Sequence, residues 1–190
     1  MPFKEEFFPQ PSRPYETSKA CADLLAQSFA DTYDLPVEIP RFVNIYGPGD
    51  LNFSRLIPKV IRIILLGRRP QVWDIGSVRD FLYIDDAINA YLTLAQKQTV
   101  NGKRLRVFNF GTGKHIKIYD LVLKIIKLSN NKLIKISTEN PPENRSNEIR
   151  KQYVSIEKAK KELNWYPKIS LDEGLKRTIK WYKENARLFT

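Results

Sequence analysis

The sequence predicts an α/β fold in which helices alternate with short strands. Two features carry that expectation. A helical apolar repeat near the start (Ala22, Leu25, Ala26, Phe29) is closed by Pro36 and followed by a strand-like run over 37–46. That run ends in a glycine loop, Gly47-Pro48-Gly49-Asp50. The order helix, strand, glycine loop is what one half of an α/β sheet shows, and loops at the carboxyl ends of such strands are where ligands bind.

Taken in order, residues 1–14 carry Pro2, Pro9, Pro11 and Pro14 and read as an extended loop with no element of its own. The helix over 15–33 contains Cys21, where a buried structural thiol is expected. In the strand over 37–46, Pro40 removes one ladder donor. Leu56, Ile57, Val60, Ile61, Ile64 and Leu65 give an apolar helix over 53–66, stopped at Gly67. A short strand over 71–74, a turn at Gly76 and a second strand over 78–84 follow, the latter carrying Arg79 and Asp80. Asp85 or Asp86 is expected to cap the next helix, which runs to about residue 96. A strand over 104–110 ends in Gly111-Thr112-Gly113, followed by an amphipathic helix over 118–128 and a short strand over 133–137. The polar stretch 138–150 reads as a loop. Ser155 is expected to cap a helix ending near Leu163, and Ser170 to cap the last helix, which runs through Trp181. Trp165 and Trp181 are expected in the core or docked on it.

At 190 residues the chain is long enough for one domain with a sizeable core, and 42% hydrophobic residues argue against disorder. One cysteine rules out an intramolecular disulfide and suits a reducing compartment. No apolar run approaches the roughly 20 residues a bilayer span needs, and the first residues hold no signal-peptide core. The sequence therefore reads as cytoplasmic, with no membrane partner. The formal charge of +11 raises nucleic acid as a partner, but the positive residues are scattered over helices and no zinc-ligand or RNA-binding motif accompanies them. An anionic small substrate such as a nucleotide diphosphate accounts for several arginines equally well. His115 follows Gly113 on a loop and reads as a surface residue, and no metal site is expected.

Tyr15 and Lys19 lie four residues apart, one turn along one helix face. A nearby ammonium favours the ionised phenol, so the pair can serve as a general acid/base near neutral pH. Two ordinary helix residues would show the same spacing.

The pair is joined, in order, by Arg41-Phe42-Val43-Asn44-Ile45-Tyr46-Gly47-Pro48-Gly49, by Val78-Arg79-Asp80-Phe81-Leu82-Tyr83-Ile84-Asp85-Asp86, and by Lys158-Ala159-Lys160-Lys161-Glu162-Leu163-Asn164-Trp165-Tyr166-Pro167 with Leu171-Asp172-Glu173-Gly174-Leu175. In this combination the chain resembles the extended short-chain dehydrogenase/reductase family of NAD-dependent sugar-nucleotide epimerases and dehydratases, over nearly its whole length. Ser18-Lys19-Ala20-Cys21-Ala22-Asp23-Leu24, Gly49-Asp50-Leu51-Asn52, and Ser146-Asn147-Glu148-Ile149-Arg150 followed by Gln152-Tyr153 are most similar to CDP-glucose 4,6-dehydratases. The implied fold is a partial Rossmann-like parallel sheet plus a small mixed α/β substrate-binding domain. Residues 1–50 would belong to the cofactor domain and 51–190 mainly to the substrate domain, with 78–110 partly returning to the sheet.

The resemblance implies NAD as cofactor and a nucleotide sugar, CDP-glucose favoured, as substrate. Tyr15 would be the base and Lys19 would bind the nicotinamide ribose. Asn44 and Arg79 would contact the nucleotide diphosphate, Arg145 would be a second phosphate-binding arginine, and Leu56 would line the base pocket. Plainer readings stay open: a loop cap for Asn44, an ion pair with Asp80 or Asp85 for Arg79, and core packing for Leu56. Ser146-Asn147 stands where the family commonly has Pro-Gly, which loosens the register at Arg145. The family's G-x-x-G-x-x-G turn is absent, and its catalytic serine or threonine and acid/base pair precede the tyrosine. The expectation is thus the C-terminal half of an enzyme, inactive alone. A separate NAD-binding chain, a non-catalytic binding module and a homodimer built through the tyrosine helix all remain open.

Overall fold

The computed structural model describes residues 1–72, 76–97, 105–131, 135–138 and 150–189; Arg145 lies outside the described residues. The first helix, α1 (Pro14–Tyr33), starts with proline at N1, where a missing N–H is harmless, and ends at Asp34 in the left-handed conformation. Its inward face is Ala20, Asp23, Ala26, Gln27 and Ala30, and only Ala30 is buried. Arg41 on the following strand clamps this face, donating to both Asp23 carboxylate oxygens at 2.7 and 3.1 Å. Leu24, Leu25, Phe29 and Tyr33 point outward and are more than half exposed. Cys21 is exposed as well, against the buried thiol expected, because it sits on the uncovered side of α1.

The run over 37–46 is two strands, β1 (Val37–Phe42) and β2 (Asn44–Tyr46), broken at Val43. Each finds a different parallel partner: β1 pairs with β6 (Leu105–Phe110), and β2 with β5 (Phe81–Tyr83). The expected strand over 78–84 breaks in the same way. Here β4 (Val78–Arg79) pairs antiparallel with β7 (Ile116–Lys117) and parallel with β9 (Lys151–Gln152), while Asp80 separates it from β5. A further parallel pair joins β3 (Gln71–Val72) to β8 (Ser137–Thr138). The proline-rich opening is tied down too, since Phe3 bridges to Val154.

Helix α2 (Leu56–Leu65) buries Ile57, Val60, Ile61 and Ile64, the i, i+3, i+4, i+7 positions of one face. Gly67, at φ +70°, closes it: its N–H reaches Ile64 O and that of Arg68 reaches Ile63 O, the double bond pattern that needs a left-handed residue. Helix α3 (Ile84–Lys97) starts at Ile84, so Asp85 and Asp86 are first-turn residues rather than caps. Asp86 is buried and accepts the backbone N–H groups of Lys168 and Ile169 at 2.9 Å; Asp85 is 3.5 Å from Arg177. Helix α4 (Ile118–Leu128) has the expected bounds. Helix α5 (Glu157–Leu163) starts two residues after Ser155, whose hydroxyl accepts only a long 3.4 Å bond from Glu157. Ser170 caps α6 (Leu171–Glu184) as expected, accepting from Glu173 N at 3.2 Å.

Two apolar clusters hold these parts together. One joins α2, α4 and α6 around Tyr46, Tyr83 and Tyr182, with Trp181 packed on it. The other places Phe108 and Phe110 of β6 between α3 and Trp165, whose ring meets Phe110 edge-on at 4.9 Å. Both tryptophans therefore pack where expected. No helix among the described residues is long and apolar enough to cross a membrane.

Candidate functional site

A cavity of about 1330 Å³ opens between the carboxyl ends of β1 and β2, the N-terminal turns of α1, helix α2 and strands β4 and β9. Among the described residues six cationic residues line it: Lys19, Arg55, Lys59, Arg79, Arg150 and Lys151. No carboxylate is among its described lining residues; Asp50, 3.1 Å from Arg55, is not one of them. Leu56, Ile57, Val60 and Ile63 of α2 supply an apolar wall. Clustered cations focus a positive potential into the cleft and raise the local concentration of an anion. The apolar wall suits a ring attached to that anion.

Tyr15 and Lys19 line this cavity from the start of α1, with the Lys19 ammonium 5.8 Å from the Tyr15 ring centroid. Tyr15 is 72% exposed. Asn44 opens β2, and its side-chain amide donates to the carbonyl of Asp80 at 3.0 Å, so it bridges strands rather than capping a loop. The Arg79 guanidinium donates to the carbonyls of Val78 at 2.9 Å and Arg150 at 3.4 Å while facing the cavity. Leu56 both lines the cavity and packs on the core, so its two readings coincide. Arg145 lies outside the described residues. His115 is exposed and stacks on Tyr153 at 4.5 Å, and among the described residues no three potential metal ligands converge.

Sequence reasoning missed Arg55, Lys59, Arg150 and Lys151. Arg150 had a signal, closing the Ser146–Arg150 stretch that carries part of the resemblance; Arg55 and Lys59 fell within the helix expected over 53–66, and Lys151 was given no element. Their convergence is tertiary, since α2, β4 and the start of β9 meet only in the fold.

Burial shifts ionisable groups both in the cavity lining, at Tyr46, and outside it, at Asp80 and Tyr182. Burial pushes the Tyr46 phenol far above its ordinary value, with Tyr83, Asp86 and Asp172 adding to the effect, so Tyr46 stays a neutral donor, to Leu171 O at 3.3 Å. Burial likewise pushes the Asp80 carboxyl up, opposed by hydrogen bonds from Thr112 and from the backbone of Gly113 and Phe81. Tyr182 holds the loop before α2 by donating to the Asp50 carbonyl, and burial with the nearby Asp50 charge raises its phenol to about 12.

Parallel strand pairs with a Tyr-x-x-x-Lys helix whose first turns line the same cavity agree with the extended short-chain dehydrogenase/reductase scaffold that the sequence resembles. The family profile described as GDP-mannose 4,6 dehydratase matches residues 1–178, and the chain belongs to that family. It is 33% identical over 188 residues to dTDP-D-glucose 4,6-dehydratase of Bos taurus, covering 96% of this chain and 51% of that protein. It is similar to dTDP-glucose 4,6-dehydratase of Bacillus anthracis, solved in complex with NAD, at TM-score 0.83 and 32% identity, covering 98% of this chain and 57% of that one. UDP-glucose 4-epimerase of Thermotoga maritima, solved with UDP-glucose, aligns at TM-score 0.85 and 27% identity, covering 97% and 58%. The chain thus spans about half the length of the curated relatives it matches.

Proposed function

We propose that these 190 residues form the substrate-binding half of an NAD-dependent sugar-nucleotide 4,6-dehydratase, with CDP-glucose as the favoured substrate. The observation that carries this is the cavity, lined by the cations named above together with the apolar wall of α2 and with Tyr15. Arg79 and Arg150 would hold the diphosphate by charge-assisted bonds, with Asn44 beside them. Leu56 and its neighbours on α2 would pack against the base. The preference for cytosine rests on the motifs at 18–24, 49–52 and 146–153; a 4-epimerase acting on a related nucleotide sugar would use the same cavity.

Tyr15 and Lys19 suit NAD, since both are exposed and line the cavity, and a phenol and an ammonium can each hydrogen-bond a ribose hydroxyl. Bound NAD would supply the hydride acceptor for C4 of the sugar and later return that hydride to C6. Tyr15 would take the C4 hydroxyl proton, and Lys19 would fix the ribose. The ketone so formed acidifies C5–H, which lets water leave across C5 and C6.

The NAD-binding half itself would come from sequence other than these residues, in the same chain or a second one. The outward face of α1 favours this reading: Leu24, Leu25 and Phe29 are more than half exposed, and among the described residues β1 pairs along one edge only. A further parallel α/β unit would cover both. A retained binding module without chemistry is the competing reading, and it keeps the cavity but needs no cover for α1.

Thermal melting of the chain with CDP-glucose, UDP-glucose, dTDP-glucose and NAD added separately tests the proposal, because a ligand of the folded state raises Tm by mass action. The expected result is a rise with CDP-glucose larger than with the other two sugars, and none with NAD alone. Equal rises would remove the cytosine preference, and no rise with any nucleotide sugar would remove the binding role from the isolated chain. Activity restored on adding a G-x-x-G-x-x-G half would exclude the module reading.

A further inference from the structure

Asp80 occupies the single-residue gap between β4 and β5 and is 0% exposed. Its carboxylate does not reach into the large cavity's lining. It accepts instead from Thr112 N at 3.0 and 3.1 Å, from Thr112 Oγ1 at 2.5 Å and from Gly113 N at 3.2 Å. The turn closes so tightly that a Cβ at Gly111 would fall 2.6 Å from Asp80 Oδ2 and 2.8 Å from Val154 Cγ2. Only glycine fits there.

The backbone of Asp80 does a different job. Its carbonyl accepts from Asn44 Nδ2 at 3.0 Å, and its N–H donates to Gln152 O at 3.1 Å. Asn44, Gln152 and the adjoining Arg79 all line the cavity. The carboxylate thus anchors one residue whose peptide groups hold Asn44 and β9, and whose neighbour is Arg79. Without that carboxylate, Thr112 N, Thr112 Oγ1 and Gly113 N would lose their acceptor, Asp80 would be held by its backbone bonds alone, and the Asn44 amide would bond to a carbonyl no longer fixed from its own side chain.

We propose that Asp80 is the positioning residue of this cavity, orienting Asn44 and Arg79 toward the diphosphate of a nucleotide sugar without touching the ligand. This rests on the cavity being a sugar-nucleotide site. A carboxylate that merely stabilised the fold would lower Tm without changing what the cavity residues do.

The test compares Asp80→Ala and Asp80→Asn with Asp86→Ala, which removes a buried carboxylate that bonds Lys168 and Ile169 outside the cavity. CDP is the probe, its affinity read by calorimetry, and the Asn44 side-chain amide is followed by NMR in the full 190-residue chain. Asp80→Ala should weaken CDP about tenfold and move the Asn44 amide resonance. Asp80→Asn, which keeps one acceptor, should lose less. Asp86→Ala should lower Tm with both readouts unchanged. An unchanged Asn44 resonance and CDP affinity in the Asp80 variants, or equal losses in Asp86→Ala, would overturn the proposal. Should Asp80→Ala not fold, Thr112→Val removes the hydroxyl bond to Asp80, along with that hydroxyl's contacts to the Lys114 backbone, and must still shift the Asn44 amide. If the wild-type chain binds no CDP, the sugar-nucleotide reading fails for the isolated chain, and the Asn44 resonance alone decides the positioning role.

Discussion

Gly174 lies inside α6, where replacing glycine by alanine in an exposed helix would gain about 1 kcal/mol. Here the sign should reverse. A Cβ on Gly174 would fall on the Tyr46 hydroxyl, 2.8 Å from Tyr83 Cδ2 and 3.0 Å from Tyr46 Cζ. Both tyrosines are buried, and their rings pack edge-to-face at 5.6 Å, so neither can swing away. Overpacking a tight core costs about 1–3 kcal/mol, and a clash with two pinned rings belongs at the upper end of that range, which leaves Gly174→Ala up to about 2 kcal/mol less stable than wild type. In a chain of this size that is a fall in Tm of about 4 °C. Urea unfolding followed by circular dichroism measures it. Tyr46→Phe supplies the control, because it removes the clashing hydroxyl and only a long 3.3 Å bond to Leu171 O. The double variant should recover at least about 1 kcal/mol of the loss, beyond the roughly 0.5 kcal/mol within which independent sites add. A Gly174→Ala chain more stable than wild type, or a strictly additive pair, would refute the close-approach argument.

The remaining predictions concern charge. Burial pushes the Asp23 carboxyl up, but hydrogen bonds from Arg41 and Gln27 outweigh it and hold it below the ordinary range. A depressed carboxylate contributes stability that is present above its unfolded value, near pH 4, and is lost as pH falls through the lower folded value. Urea midpoints between pH 2.5 and 6 should therefore drop on acidification, by less than about 1 kcal/mol because the pair is partly exposed, and Arg41→Met should flatten that step. Within the cavity, Arg79→Ala and Arg150→Ala should each weaken CDP about tenfold in calorimetry, as loss of one charge-assisted contact does. Unchanged affinity in both would move the diphosphate elsewhere.

Local pattern made most helices legible, and partner choice made the strands hard. Helix α4 has the bounds that its apolar spacing gives, because Leu121, Val122, Ile125 and Ile126 form a face that this chain itself buries. In α1 the same kind of spacing is present, yet Leu25 and Phe29 point to solvent. Periodicity reports that a face exists and is silent on what covers it. The strand breaks at Val43 and Asp80 were illegible for a related reason. Nothing in Phe42-Val43-Asn44 or Arg79-Asp80-Phe81 announces that the chain is about to change hydrogen-bond partners, which is decided by strands far along the sequence.

The site divides in the same way. Tyr15 and Lys19 were visible because one helical turn separates them, and they line the cavity together. Arg55, Arg150 and Lys151 come from distant segments and look like surface charge until the fold brings them together. On the proposed function, this division has a consequence for chemistry. Proton transfer at a sugar hydroxyl is best performed where water is excluded. Tyr15 is too exposed for that. On that reading this chain would supply the cations that bind the substrate, whereas shielding of Tyr15 would come from whatever covers the start of α1. A cover seated on Leu24, Leu25 and Phe29 would complete the apolar packing of α1 and close over Tyr15 in one step, so assembly and activation would be a single event.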